Sequence, residues 1–126
     1  MARVAVRGTW GTVEWAETAS GREPAFDFFG TLDVPDQAKV LALFQRLAEA
    51  GRIMNAEKFK GLGEQGLGLF EFKSFQIRFI GDFRPGKRFI VAHGLRKKKD
   101  DLDAADIAVA ARIMKEDDQR ERGRQR

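Results

Sequence analysis

One change in hydrophobic period, near the middle of the chain, constrains the fold more than any other feature. Between Pro35 and Gly51 the apolar residues recur at the i, i+3, i+4, i+7 and i+8 positions of one helix face. These residues are Val40, Leu43, Phe44, Leu47 and Ala48. From residue 69 to residue 93 the apolar residues instead alternate with polar ones, as they do in half-buried strands. An amphipathic helix followed by alternating strands predicts an α+β domain.

Shorter signals complete the predicted order of elements. Residues 12–16 alternate and predict a first strand, and Pro24 suits the first turn of a short helix. Residues 69–93 predict an antiparallel meander whose last turn, at residues 84–87, contains proline and glycine. A final helix is predicted from Asp103. The pattern favours a central antiparallel sheet with two N-terminal helices and one C-terminal helix. We expect the helices on one face of this sheet and the other face partly open.

Composition excludes several classes of function. The 126 residues suit one domain, and a hydrophobic content of 43% excludes wholesale disorder. The absence of cysteine excludes disulfides and thiolate chemistry and is typical of a reducing compartment, so we expect a cytoplasmic protein. No apolar run approaches the roughly 20 residues of a membrane span, and one histidine excludes a multi-histidine metal site. We therefore expect no membrane association, no metal and no cofactor.

Basic residues are concentrated in one segment of the chain. The formal net charge is +4, and the segment from Arg84 to Lys99 contains seven lysines or arginines and no acidic residue. Such a local positive field favours a polyanion, of which nucleic acid is the simplest. The alternative is a solvated loop whose lysines serve solubility. Because residues 119–126 alternate arginine with other residues and lack an apolar anchor, we predict one domain over residues 1–118 and a basic, disordered tail over 119–126.

Five parts of the chain follow the order and spacing of one toxin family. They are Ser20–Phe28 (SGREPAFDF), Lys58–Leu62 with Gly68–Lys73 (KFKGL and GLFEFK), Ile77–Ile80 (IRFI), Ile90–Lys99 (IVAHGLRKKK) and Asp106–Ala110 (DIAVA). They resemble motifs of the HigB-like, phage-derived branch of the RelE/ParE toxin superfamily. In the same order, these motifs are the G-R-x-P-x-x-x-F opening, the K-x-L and L-W-E-L-R segments, the Y-R-V-x-Y strand, the H-G-F-x-K-K strand end and the E-I-x-x-A helix. The resemblance covers residues 12–114 and implies the small α+β fold of that superfamily.

The resemblance implies the toxin of a type II toxin–antitoxin pair. Typical members cleave mRNA on the ribosome without a metal and are silenced by a bound antitoxin. The implied partners are therefore a helix-turn-helix, HigA-like antitoxin, mRNA and the ribosome. Two alternatives stay open, namely a ParE-like gyrase poison that acts by binding alone and a noncatalytic phage-derived module that binds RNA or protein.

Metal-free RNA cleavage uses the neighbouring 2′-OH as nucleophile, so the protein must align the attack, stabilise charge on phosphorus and move protons. By resemblance, Arg78 matches the strand arginine that binds the scissile phosphate. The alternative is an arginine paired across the sheet with Glu71 or Asp82. Lys73 is expected to add charge at the phosphate, and Glu71 to act as a base or to orient Arg78. His93 carries the one imidazole, which suits proton transfer. The alternatives are a strand-end histidine on the same face as Phe89 and Val91, and a histidine that hydrogen-bonds only to the backbone.

Further basic residues are predicted to bind RNA phosphates rather than to catalyse. They are Lys58, Lys60, Arg96, Lys97, Lys98 and Lys99. The chain departs from the family in having no tyrosine, which leaves Phe75, Phe79 or Phe83 to stack on a base and leaves the proton donor unassigned. The aspartates of residues 100–103 follow the basic run, and we interpret them as helix-capping residues rather than magnesium ligands.

Overall fold

The computed structural model describes residues 3–99 and 101–124, and these form a six-stranded sheet with three α-helices. The elements in chain order are β1 (Arg3–Arg7), β2 (Thr12–Trp15), α1 (Pro24–Gly30), α2 (Val34–Ala50), β3 (Phe59–Gly61), a 3₁₀ turn (Glu64–Gly66), β4 (Phe70–Ser74), β5 (Ile77–Arg84), β6 (Arg88–Arg96) and α3 (Ala104–Arg124). The strand order is β1-β2-β6-β5-β4-β3, and every pair is antiparallel except β2 with β6, which is parallel. The predicted α+β class is confirmed.

Helices α1 and α2 cover one face of the sheet. Helix α2 begins after Asp33, whose carboxylate accepts the backbone N–H of Asp36 at 2.9 Å, and it ends at Gly51 with a φ of 74°. Its apolar stripe is buried, and the ring of Phe44 contacts Trp15 of β2 with 5.5 Å between centroids. The helix that the apolar spacing predicts is therefore confirmed, and it forms the larger of two cores.

Helix α3 covers the opposite face of the sheet, so the expectation that this face stays partly open is wrong. Its apolar residues pack on buried strand residues of β5 and β6. The strand residues are Ile80, Ile90 and Ala92, and the helix residues are Ala110, Ile113 and Met114. Helices therefore lie on both faces of the sheet, because α3 carries an apolar stripe of its own and buries it against the second face.

A β-bulge in β6 changes which face of the sheet its last residues occupy. Ile80 pairs with His93, but the next residue, Gly81, pairs with Val91, so Ala92 is the extra residue of the bulge. Val91 belongs to the core under α1 and α2, whereas His93 contacts α3. The alternative that placed His93 on the same face as Val91 is therefore wrong, because simple alternation does not include the extra residue.

The ends of the chain differ from the sequence prediction. Residues 119–124, for which disorder is predicted, continue α3, and Arg120 and Arg124 each place a guanidinium nitrogen 3.3 Å from Oε2 of Glu17. Residues 125 and 126 of the predicted tail lie outside the described residues, and a domain boundary at residue 118 stays a prediction. Strand β1 has no counterpart among the predicted elements. Within the described part of the chain, no helix combines the length and apolar character that a membrane span requires.

Candidate functional site

Arg78 and Glu71 form a buried ion pair on the α3 face of the sheet. Strands β4 and β5 place Lys73 opposite Arg78 and Glu71 opposite Ile80, so Glu71 and Arg78 are diagonal neighbours. The Nε atom of Arg78 lies 3.2 Å from Oε2 of Glu71, and the two side chains are 2% and 0% exposed. The cross-sheet pair that the sequence left open is therefore formed with Glu71, while Asp82 pairs instead with Arg84 at 3.2 Å.

The remaining donors of Arg78 hold backbone carbonyl groups. Its Nη1 donates to the carbonyl oxygen of Phe75 and, at 3.4 Å, to that of Ile77. Its Nη2 donates to the carbonyl oxygen of Lys99 at 3.3 Å. The guanidinium thus ties the β4–β5 turn to the segment that follows β6, and at 2% exposure it presents almost no surface to a ligand.

A cleft of about 520 Å³ opens beside Glu71. Residues from β3, the 3₁₀ turn and the start of α3 line it, among them Lys60, Gln65 and Ala104. The Nζ atom of Lys60 lies 4.0 Å from Oε1 of Glu71, and the Lys60 side chain is 38% exposed. Lys60 therefore connects the buried ion pair to the open cleft.

His93 lies on the same face of the sheet and forms a separate pair with α3. Its Nε2 is 3.2 Å from Oδ1 of Asp106, in the first turn of α3, and both side chains are only partly buried. A carboxylate in this position orients the imidazole ring. The structure thus brings Lys60, Glu71 and Arg78 into one cluster, whereas His93 belongs to a pair beside it.

Most of the predicted phosphate-binding residues converge at one end of the sheet. The amide of Lys73 donates to the carbonyl of Lys58 at 2.9 Å, and the amide of Lys97 donates to the carbonyl of Gln76 at 2.7 Å. These bonds join the start of β3, the β4–β5 turn and the end of β6. We call the basic residues gathered there the basic end; they are Lys58, Lys73, Arg96, Lys97, Lys98 and Lys99. Lys58, Arg96, Lys98 and Lys99 are exposed.

Lys97 differs from the other members of the basic end because it is paired. Its Nζ lies 2.6 Å from Oδ2 of Asp103, and its side chain is 16% exposed. The hydrogen bond from Lys97 and then its charge hold the pKa of Asp103 below its usual value, with a smaller contribution from the charge of Lys99. Asp103 therefore offsets part of the positive field that the sequence assigns to this segment.

Phe75 occupies the tip of the basic end. Ser74 pairs with Ile77, so Phe75 and Gln76 form a two-residue turn, in which Phe75 has a φ of 55° and is 84% exposed. Phe79 is 1% exposed in the core, and Phe83 packs against that core. Of the three phenylalanines that the sequence offers for stacking on a base, Phe75 is the one whose ring is open to a ligand.

A second cluster of charges, which the sequence patterns above do not predict, lies near the C-terminal half of α3. At the β5–β6 turn, the Nε atom of Arg84 lies 2.7 Å from Oδ1 of Asp118. The Nε atom of Arg88 lies 3.2 Å from Oε2 of Glu14. Asp117 is 2% exposed and accepts the amide of Glu17 at 2.8 Å. The signal was available, because residue 117 continues the i, i+3, i+4 spacing of the apolar stripe of α3.

Burial raises the pKa of Asp117 to about 6. The amide of Glu17 opposes this shift, and the neighbouring charges of Glu121 and Asp118 add to it. The cluster fastens α3 to the sheet at the end opposite to the β4–β5 turn. Over residues 3–99 and 101–124, no group of three or more carboxylates and imidazoles is placed to hold a metal ion.

Comparison with known proteins identifies one family. A family model described as phage derived protein Gp49-like matches residues 27–115 of the chain. The matched range includes the Lys60–Glu71–Arg78 cluster, His93 and the whole basic end, and it leaves out β1, β2 and the last turns of α3. No curated protein matches the chain.

Proposed function

The chain belongs to the family of Gp49-like phage-derived proteins, a RelE-like toxin family, and from this premise we propose that it is the toxin of a type II toxin–antitoxin pair and cleaves mRNA on the ribosome. The observation that carries the proposal is the basic end, where basic residues from three parts of the chain gather at the end of the sheet that holds an exposed phenyl ring, with Lys58 and Lys73 beside that ring. Clustered lysines and arginines bind the phosphodiester backbone, and an open ring suits unpaired bases. The HigB-like branch and a HigA-like antitoxin are part of this proposal.

In the proposed reaction the 2′-OH attacks the adjacent phosphorus, and the bond to the 5′ oxygen of the next nucleotide breaks. The products are a 2′,3′-cyclic phosphate and a 5′-OH end. Glu71 borders the cleft but its side chain is 0% exposed, so a water in the cleft relays the proton of the 2′-OH to it, and His93 returns a proton to the 5′ oxygen. Lys60 and Lys73 stabilise the extra charge on the phosphate oxygens.

Arg78 takes a different part in this scheme from the one that the resemblance implies. With its side chain 2% exposed and its Nε 3.2 Å from Oε2 of Glu71, it orients that carboxylate. Direct contact with the scissile phosphate would require the segment after β6 to release the guanidinium, because Nη2 donates to the carbonyl of Lys99.

The burial of Arg78 favours a second candidate function, an RNA-binding module without cleavage. Three backbone carbonyls and one carboxylate surround the guanidinium, which leaves little of it to meet a phosphate. In this alternative the basic end binds RNA and no bond is broken. The gyrase poison is a third possibility, and the test below separates it from the other two.

The test is controlled expression in a bacterial host, with growth recorded and the 5′-OH ends of mRNA mapped. The site variants are His93→Gln and Lys60→Met, since both side chains are partly exposed, and the control is Lys39→Met on the exposed side of α2. We expect wild type and Lys39→Met to arrest growth and produce new codon-phased ends, and both site variants to lose the ends. Arrest without new ends contradicts cleavage and points to gyrase. Neither arrest nor new ends on expression of the wild type contradicts both toxin functions and favours the noncatalytic module.

A further inference from the structure

Phe75 has a large apolar side chain at a position whose positive φ suits small or polar residues and whose side chain is exposed to solvent. It is the first residue of a two-residue hairpin turn and has a φ of 55°, a conformation that turns usually assign to glycine, asparagine or aspartate. Its side chain is 84% exposed, so the ring contributes little to the core. Strained residues that the core does not need are concentrated at ligand-binding positions.

The surroundings of the ring are charged rather than apolar. A cavity of about 280 Å³ beside it is lined by Glu57, Lys58, Lys73 and Phe75. A lone ring among ammonium and carboxylate groups does not form the contiguous apolar patch that protein partners use. A ring flanked by cations is instead the arrangement that binds single-stranded nucleic acid, in which a base stacks on the ring and phosphates meet the cations.

The turn that carries the ring is held in place from inside the fold. The carbonyl oxygen of Phe75 accepts a hydrogen bond from Nη1 of Arg78, whose own position is fixed by the ion pair with Glu71. On the other side, the amide of Lys97 donates to the carbonyl of Gln76 at 2.7 Å. Both residues of the turn are therefore anchored through their carbonyl groups, which fixes the backbone from which the exposed ring projects.

We propose that Phe75 is a stacking platform for one unpaired base of single-stranded RNA, with Lys58 and Lys73 on the phosphates that flank that base. The proposal rests on the proposed function in that it takes RNA as the ligand. Glu57 repels a phosphate at its own side of the cavity and accepts a hydrogen bond from an exocyclic amino group of the stacked base. The strand therefore runs along the lysine side of the ring.

The platform is tested by binding of the full chain to a 2′-O-methyl oligoribonucleotide of about ten nucleotides with one 2-aminopurine. The 2′-O-methyl group blocks cleavage, and 2-aminopurine fluorescence falls when the base stacks. The variants are Phe75→Leu, which stays apolar but loses the π face, and Phe75→Trp, which restores one. Val34→Ala is the control, because Val34 is also an exposed apolar residue, 76% exposed, but lies on α2.

We expect Phe75→Leu to weaken binding about tenfold and to abolish quenching, with Phe75→Trp and Val34→Ala close to wild type. The salt dependence should stay unchanged in Phe75→Leu, whereas Lys58→Met should lower the slope of log K against log salt by about 0.7. Unchanged binding by Phe75→Leu, or no binding by wild type, overturns the platform. Binding and quenching without any mRNA cleavage in the expression assay sustain the platform and contradict the proposed nuclease.

Discussion

The Nε atom of Arg78 lies 3.2 Å from Oε2 of Glu71 in the space between the sheet and α3, and both side chains are almost completely buried. An ion that is removed from water in this way depends on its partner, because removing the partner takes away the nearest charge that offsets its desolvation. The pair is therefore part of what holds the α3 face together, in addition to any role in chemistry.

Removing one member of this pair should cost more stability than removing both. Arg78→Met leaves the Glu71 carboxylate buried opposite an apolar side chain, and we expect it to lower the free energy of unfolding by about 3–5 kcal/mol. The double variant Glu71→Leu with Arg78→Met should recover most of that loss. Urea unfolding of the wild type, both single variants and the double variant gives the coupling energy. Losses that simply add would show that the two charges do not depend on each other.

Asp117 should make the fold more stable in mild acid than at neutral pH. Burial raises its pKa from 3.8 to about 6, so the folded chain binds a proton that the unfolded chain has already released between these values. The free energy of unfolding should therefore fall as the pH rises from 3.8 to about 6, by about 3 kcal/mol from this group.

The variant Asp117→Asn isolates this contribution. Its side-chain oxygen still accepts the amide of Glu17, but it carries no proton that titrates. We expect it to be more stable than wild type at pH 7 and to differ little from wild type at pH 4, as measured by urea unfolding at both values. Asp27→Asn, at an exposed position of α1, is the control. A parallel pH dependence in wild type and Asp117→Asn would contradict the assignment.

The elements that depend on local signals could be predicted from the sequence. Helix α2 follows from its apolar spacing and from Gly51, and the turn after Arg84 follows from Pro85 and Gly86, which has a φ of 90°. Strand β1 was missed because five residues flanked by arginines give too short an alternation to identify. Its place in the sheet depends on pairing with β2, which is a tertiary contact.

The candidate site shows what local patterns leave out. Alternation correctly places Arg78 and Phe79 on opposite faces of the sheet. It does not predict that a helix covers the face on which Arg78 lies. Ile80, on the same side as Arg78, was the residue that signalled a second core under α3. The alternative that puts His93 on the face of Val91 is wrong for a different reason, because a bulge adds one residue and reverses the faces beyond it. Burial and register of this kind depend on distant parts of the chain.

Lys97 and Lys98 are neighbours in sequence but should contribute differently to RNA binding. Lys98 is exposed, whereas the Nζ of Lys97 is held 2.6 Å from Oδ2 of Asp103. We expect Lys98→Met to reduce the salt slope for a single-stranded oligoribonucleotide by about 0.7, and Lys97→Met to change it much less. Asp103→Asn should strengthen binding because it frees the charge of Lys97. Equal effects of the two lysine variants on the slope would show that the pair with Asp103 opens when RNA binds.

Gly81→Ala should disrupt the bulge that brings His93 to α3. A Cβ at this position would lie 1.9 Å from the carbonyl oxygen of Ile90, and that backbone can yield only by breaking the ladder between β5 and β6. We expect a loss of about 1–3 kcal/mol in the free energy of unfolding. Gly30→Ala, where a Cβ meets nothing within 4 Å, is the control and should be neutral or slightly stabilising.

The His93 ring protons report on the same variant by NMR. In the wild type the imidazole lies against Asp106, so a change in register should shift its ring signals, while Gly30→Ala should leave them in place. Because the proposed proton donor depends on this register, Gly81→Ala should also lose mRNA cleavage at temperatures where it is still folded. A folded Gly81→Ala with wild-type ring signals would show that the strand tolerates the added carbon and that the bulge does not require glycine.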